Sequence, residues 1–210
     1  TPVDLTGLMT VSGTTQTNAG TYNNAPWSFA GNGNYNATSG TVNNAIGKAA
    51  TTTVVTINGG PFTYTGSAQT PATVSVTGAN LSIIPTANYT NNVNAGTANA
   101  SYTYVESANH LGSSDSENFT IGKAAAVITV TPYSVTYDGN AHTSTFTAVG
   151  VESPTPVDLT GLMTVSGTTQ TNAGTYNNAP WSFAGNVQEH TIMHHGVLQA
   201  TTTTLQRAAQ

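Results

Sequence analysis

The sequence predicts an all-β protein built from tandem modules, each made of two packed sheets. Only 5% of the residues are charged, which nearly excludes amphipathic helices of the usual Glu-, Lys- and Leu-rich kind. Short alternating runs such as TTTVVTI and ATVSVTG stand between turn-forming stretches such as NGG and TGS. We therefore expect antiparallel strands with one solvated face, and almost no helix before residue 187.

Internal repeats set the size of the module. The segment TPVDLTGLMTVSGTTQTNAGTYNNAPWSFAGN fills residues 1–32 and recurs without change at 155–186. Shorter matches, such as IGKAA at both Ile46 and Ile121, halve this period and indicate a unit of roughly 75 to 80 residues in two alternating types. The expected domains are a partial module (the C-terminal part of one) at 1–48, a complete module at 49–123, a module lacking its last strand at 124–186, and a tail at 187–210.

The two incomplete modules have complementary defects. Residues 1–48 lack the strands that 125–150 supply, whereas 124–186 lacks the strand that GNYNATSGTVNNAI supplies at 33–46. We expect the last module either to keep an open sheet edge or to accept 33–46 by strand exchange, from another chain or from its own N-terminus.

Several motifs resemble the MBG or YDG family of bacterial immunoglobulin-like repeats, which occur in large secreted and surface proteins. The resemblance covers residues 1–186 and rests on VTPYSVTYDGNAHT, TNAGTYNN, GNYNATSGTVNNAIGKA and ENFTIGKA. It implies tandem immunoglobulin-like β-sandwiches with a stalk or adhesin role, an extracellular or cell-surface location, and no catalytic residues to carry over.

Composition limits the partners. A net charge of −5 with three basic residues argues against nucleic acid and against anionic membranes, because both need clustered Lys and Arg. No apolar run is long enough to cross a bilayer, so we expect no membrane insertion in this segment. The expected partners are neighbouring repeat modules and a glycan or cell-surface protein, and we expect no cofactor.

The tail contains the pattern that most resembles a metal site. His190, His194 and His195 have spacings that one helical turn could bring together. The helical zinc-protease motif needs Glu directly after the first His, where this chain has Thr191. We therefore keep the three histidines only as adventitious metal ligands.

The codons of the tail support this interpretation. Read from the third base of the Val187 codon, the permitted codons can encode AGTYNNAPWSFAGN and most of the repeat sequence that follows it. We interpret residues 187–210 as a repeat copy translated in a shifted reading frame, and we expect this tail to be disordered.

Acidic residues offer a second set of candidates. Asp115 and Glu117 lie in SSDSEN, and Glu152 and Asp158 lie in VESPTPVDL. Calcium prefers such oxygen ligands on loops, but a calcium loop gathers more carboxylates at tighter spacing. We expect solvated turn residues here.

Covalent chemistry is the third possibility. Lys48 and Lys123 stand at equivalent module junctions, and a buried Lys can cross-link to Asn when a carboxylate lies beside it in an apolar pocket. His110, Ser113 and Asp115 could be written as a catalytic set, although residues so close on one loop rarely form an oriented triad. We expect neither chemistry, and we expect that the protein is not an enzyme.

Aromatic residues are the candidates for ligand binding. Trp27 and Trp181 occupy the same place in the two identical copies, with Tyr22 and Tyr176 nearby. Such residues can stack on sugar rings when exposed, although a Trp in this setting more often anchors a sandwich core. The sequence thus favours a non-catalytic structural repeat, with a carbohydrate- or protein-binding immunoglobulin-like module as the alternative.

Overall fold

A computed structural model gives the fold of residues 2–185 and of two short strands at 193–194 and 197–198. Strands dominate these residues, and the only helical segments among them are four single 3-10 turns. The all-β prediction is therefore confirmed. The 3-10 turns span Thr6–Leu8, Ser12–Thr14, Thr160–Leu162 and Ser166–Thr168. The prediction of a disordered, frame-shifted tail falls mainly on residues outside the described ones.

The strands follow the alternating runs of the sequence. Those of the first half are β1 (Met9–Thr10), β2 (Gly20–Phe29), β3 (Thr38–Ile46), β4 (Thr51–Ile57), β5 (Phe62–Thr63), β6 (Ala72–Gly78), β7 (Leu81–Ile83), β8 (Asn88–Thr90) and β9 (Gly96–Tyr104). Those of the second half are β10 (Ser113–Gly122), β11 (Val127–Thr131), β12 (Thr145–Val149), β13 (Met163–Thr164), β14 (Ser182–Phe183), β15 (Met193–His194) and β16 (Val197–Leu198).

The chain forms two compact units. The first comprises residues 1–58, 72–88 and 100–117, and the second comprises 59–71, 89–99 and 118–210. Residues of the module expected at 49–123 thus contribute to both units.

The first unit contains two antiparallel three-stranded sheets, ordered β1-β2-β3 and β4-β6-β7. Strands β4 and β6 share one alternating burial pattern, because successive side chains of a strand point to opposite faces. Val55, Val74 and Val76 are at most 3% exposed, whereas Val54 is 44% exposed. The predicted strands with one solvated face are present here.

Strands β5, β10, β9 and β8 form a four-stranded sheet in that order, with β5 parallel to the end of β10. Within the second unit, the Phe119 side chain is buried and meets Phe62 edge to face at 5.3 Å between ring centroids. Tyr89 meets the same ring at 6.4 Å. Such edge-on aromatic pairs stabilise a core by about 0.5–1.5 kcal/mol beyond their buried area.

The second unit also contains the antiparallel pair β11-β12. Ile128, Val130 and Ala148 from this pair are buried. Six partly buried apolar residues pack against them: Ala126, Phe146, Leu159, Met163, Trp181 and Phe183. The second repeat copy therefore supplies much of the apolar cover of this core.

The two identical 32-residue copies build the same local structure except at one strand. Each begins with two 3-10 turns, and β13 pairs with β14 in the register that β1 keeps with the end of β2. In the first copy, residues 20–29 form the long strand β2 against β3. In the second copy, only residues 182–183 of the equivalent segment 174–183 are in a strand, and the sequence of β3 does not follow residue 186.

Candidate functional site

A cleft of about 330 Å³ in the second unit is the candidate site. It lies where the connector from β10 to β11 meets the loop after β12. Its polar lining comes from Tyr64, Lys123 and Glu152, and alanine, glycine, leucine and phenylalanine residues form the rest. The cleft is therefore mainly apolar, with one carboxylate at its wall.

The Glu152 carboxylate is held by neutral donors. The Tyr64 hydroxyl donates a hydrogen bond to Oε1 at 2.9 Å, and the Val157 backbone N–H donates one to Oε2 at 3.0 Å. These bonds favour the charged form, so the pKa of Glu152 is lowered, chiefly by the Val157 N–H. The hydrogen bond between Tyr64 and Glu152 raises the pKa of Tyr64, because the tyrosine hydroxyl donates to a carboxylate.

Two glycines leave room for this side chain. A Cβ at Gly150 would clash with Oε2 of Glu152, and a Cβ at Gly66 would lie 2.6 Å from its Cγ. Gly66 also has a φ of +78°, a conformation that L side chains rarely adopt. Glu152 therefore joins the YTG turn at Tyr64 to the loop after β12.

The polar side chains of this cleft join two segments of the chain. The tyrosine and carboxylate are bonded to each other, and no histidine lines the described cleft. The arrangement fixes a loop and offers an apolar surface beside one exposed cation, Lys123.

A second polar cluster lies in the YDG turn of the second unit. Asp138 Oδ1 accepts hydrogen bonds from the Asn140 backbone N–H and from His142 Nε2, both at 2.9 Å. These contacts, the backbone bond first, lower the pKa of Asp138 to about 2. The exposed cluster closes the turn at Gly139, whose φ is +80°.

The structure places the predicted acidic ligands in separate roles. Asp115 and Glu117 lie in strand β10, not in the turn expected from SSDSEN. Asp115 Oδ2 accepts the Val55 backbone N–H at 2.7 Å. Asp158 accepts the Thr160 N–H at 2.9 Å, which lowers the pKa of Asp158. Across residues 2–185, no three His, Asp or Glu side chains gather where a metal ion could bind.

His110, Ser113 and Asp115, considered above as a catalytic set, each form hydrogen bonds with other residues. His110 Nε2 lies 2.7 Å from the Ala79 carbonyl oxygen, and Ser113 Oγ lies 2.7 Å from Thr53 Oγ1. Asp115 bonds to backbone N–H groups. The structure therefore does not arrange them as a catalytic set.

The two junction lysines lie at exposed positions. Lys48 Nζ pairs with Glu106 and donates to the Ser107 carbonyl oxygen at 2.8 Å. Lys123 lines the cleft. Both lysines are exposed, whereas a cross-link to Asn requires a buried Lys.

The candidate aromatic residues are divided between packing and surface. Trp27 is half-buried on β2 and lies over Gly40, where a Cβ would meet its ring at 2.8 Å. Trp181 packs against the β11-β12 core. The hydroxyls of Tyr22 and Tyr176 donate to the carbonyl oxygens of Asn18 and Asn172 at 2.6 and 2.9 Å.

The tail candidates are not described at the level of side chains. His190 and His195 lie outside the described residues, and only the backbone of His194 is described, in β15.

Comparisons of the chain with protein-family models, with curated proteins and with solved structures found no match. None of the described helical segments has the length and apolar character needed to cross a bilayer. The strands of the described residues define this chain as an all-β protein.

Proposed function

We propose that this chain is a non-catalytic structural repeat segment of an extracellular stalk or adhesin. In this proposal, immunoglobulin-like β-sandwich modules at 1–48 (partial), 49–123 and 124–186 space or present other domains. The observation that carries it is the recurrence of one 32-residue unit with the same turns and the same strand register in both copies. Repetition of one structural unit is typical of proteins that act through length and repeated surface.

The junctions support this proposal. Strand β3 ends at Ile46 and β4 begins at Thr51, while β10 ends at Gly122 and β11 begins at Val127. Both connectors therefore have four residues, GKAA and KAAA. Short connectors restrict bending between the elements that they join, which suits a spacer.

A tyrosine contact supports the immunoglobulin-like assignment. Sandwiches of this kind carry a tyrosine whose hydroxyl bonds to the backbone a few residues upstream. Tyr22 and Tyr176 each make such a bond, to Asn18 and Asn172 in the NAGTY motif.

The module boundaries can be tested by expression of residues 49–123 alone. We expect this fragment to unfold in one cooperative thermal transition, because it includes all the strands of β4–β10. The matched control is residues 59–133, a fragment of equal length that omits β4. Failure of 49–123 to unfold cooperatively, or equal cooperativity in the control, would contradict the boundaries.

The spacer role can be tested by small-angle X-ray scattering of residues 1–186. A compact protein of about 200 residues has a radius of gyration of about 17 Å. We expect a clearly larger value and an elongated profile, and a value near 17 Å would contradict a spacer.

Ligand binding through aromatic residues is the second candidate. The observation that favours it is the exposure of Tyr137 and Tyr176, which are 64% and 43% exposed. Exposed tyrosines can stack on sugar rings. Binding on a glycan array that is lost in Tyr137→Ala or Tyr176→Ala would support this function, and silence of the native chain on the array would count against it.

A further inference from the structure

We infer that residues 174–183 form an acceptor edge for a separate β-strand with the sequence of residues 33–46. The occupant is an extended polypeptide segment of that sequence which is not already paired in its own hairpin. This inference is independent of the stalk proposal, because it rests on the comparison of two identical sequences within one chain. In the first copy, β3 pairs with the equivalent residues, 20–29, along the length of β2. In the second copy, no strand of the described residues pairs with 174–180.

The edge keeps its bound shape without the partner. Asn24 has a φ of 59° at the bulge of β2, and Asn178 has a φ of 57° at the same place in the second copy. The hydrogen bonds from the Tyr22 and Tyr176 hydroxyls are likewise present in both copies. An acceptor that already has the right backbone conformation loses little entropy on binding.

One further local contact confirms this likeness. A Cβ at Gly13 would meet the Pro26 Cγ at 2.8 Å, and a Cβ at Gly167 would meet the Pro180 Cγ at 2.7 Å. The 3-10 turn therefore packs on the edge in the same way whether or not the neighbouring strand is present.

The absence of the partner leaves specific groups exposed. In the first copy, Asn43 Oδ1 accepts the Asn24 backbone N–H at 2.9 Å. The equivalent N–H, of Asn178, has no corresponding acceptor among the described residues. Ala25 is buried at 6% exposure, whereas Ala179 is only half-buried. A donor strand would cap this N–H and cover this methyl group.

The register of the complex follows from the first copy. There Gly20 lies opposite Ile46, Thr21 opposite Ala45, and Trp27 opposite Gly40. In the second copy the donor would therefore place its Ala45 opposite Thr175 and its Gly40 under Trp181. Gly40 is the determinant of fit, because a Cβ there would lie 2.8 Å from the tryptophan ring.

The pairing state of the donor decides which occupant binds. In a second intact molecule of this protein, β3 already pairs with its own β2. Its transfer would break as many strand contacts as it forms, and a hairpin has the advantage of short loop closure. A segment without its own β2 gains the whole ladder, so the occupant is an unpaired strand.

The first test adds a synthetic peptide of residues 33–46 to the full chain. The Trp27→Phe variant leaves Trp181 as the reporter of fluorescence. We expect saturable binding with one peptide per chain. The matched control is the same peptide with Gly40→Val, which we expect to bind about tenfold more weakly or worse because of its clash with the ring.

The second test determines the register by cross-linking. The chain contains no Cys, so Thr175→Cys creates a single thiol. With oxidised glutathione added as the oxidant, we expect a disulfide with a peptide that carries Ala45→Cys, detected by intact mass. The peptide with Asn44→Cys is out of register by one residue and presents its thiol on the opposite face, so we expect much less product.

Thr21→Cys provides the matched control in the chain. It has the same flanking sequence as Thr175→Cys, but β3 already lies against it. We expect little cross-linking there. Equal cross-linking at the two sites, tight binding of the Gly40→Val peptide, or no binding of either peptide would overturn the inference. Concentration-dependent dimers of the native chain that bury Trp181 would overturn the choice of occupant.

Discussion

At the scale of single residues, Glu152 shows how a side chain far along the sequence closes a turn. Its carboxylate accepts the hydroxyl of Tyr64 and the N–H of Val157, and its stem lies where a Cβ at Gly66 would stand. The YTG turn and the loop after β12 are thereby held together.

Substitution of Gly66 tests this contact. We expect Gly66→Ala to lower the unfolding temperature more than Gly139→Ala. Both positions have a φ near +80°, so both variants incur a backbone cost of about 1–2 kcal/mol. Only Gly66 lies against Glu152, whereas a Cβ at Gly139 meets nothing within 4 Å. Equal shifts in calorimetry would show that the contact with Glu152 has no energetic weight.

Asp138 gives a pH dependence of known sign. Its pKa is about 2 in the folded protein, against an ordinary value of 3.8, because Asn140 and His142 donate to it. The unfolded chain therefore takes up this proton first as the pH falls. The stabilisation is present above about pH 4 and is lost as the pH falls towards 2.

We expect the unfolding temperature of Asp138→Asn to fall less than that of the native chain between pH 5 and pH 2. Circular dichroism melts at several pH values in that range would measure both slopes. Identical slopes would mean that the Asp138 contacts do not persist in solution.

At the scale of elements, strand β4 illustrates how an exposed sheet edge is protected. Ala49 pairs by backbone hydrogen bonds with Asn109 and Leu111, and further along Asp115 accepts the Val55 N–H. An unpaired edge is prone to association with other strands, and an inward-pointing charge is one means of preventing it.

Truncation of Asp115 should weaken this edge. We expect Asp115→Ala to reduce the free energy of unfolding by about 1–3 kcal/mol, because the N–H of the buried Val55 loses its acceptor. Asp115→Asn keeps an oxygen and should lose less, and the exposed neighbour gives the control Ser114→Ala. Denaturant unfolding would measure all three, and an unaffected Asp115→Ala would contradict the role.

Strands β4 and β10 show where sequence patterns succeed and where they mislead. Alternation predicted β4 and β6 because their apolar residues fall on one buried face. SSDSEN was predicted as a turn because Ser, Asp and Asn favour turns, yet it lies in β10. Its polar side chains bond to β4, a partner about 60 residues away, which local composition does not reveal.

At the scale of the whole molecule, the repeats do not predict which distant segments of the chain come into contact. Tyr64 and Glu152 are 88 residues apart, and the sequence offered Glu152 only as a candidate calcium ligand. The only signal in the sequence was the recurrence of Y-x-G at Tyr64 and Tyr137, which marked the turn without naming its partner. Long-range pairs of this kind depend on how the strands stack.

The segment 124–186 offers a test of strand completion. We expect a chain in which residues 33–48 follow Asn186, in place of 187–210, to unfold several degrees higher than the native chain. The added strand completes the edge at 174–181, and about 1 kcal/mol corresponds to 2–4 °C at this size. The control is the same chain with the appended Gly40 equivalent changed to Val. No rise, or an equal rise in both, would be incompatible with strand completion.

The two identical copies also give this protein an internal reference state. Because residues 20–27 and 174–181 have the same side chains and the same neighbours in sequence, their amide hydrogens have the same intrinsic exchange rates. NMR can resolve the protection of each segment against hydrogen exchange. The ratio of the two protection factors therefore compares local opening with and without β3 in one sample at one temperature. A single polypeptide thus measures what one neighbouring strand adds to the stability of another.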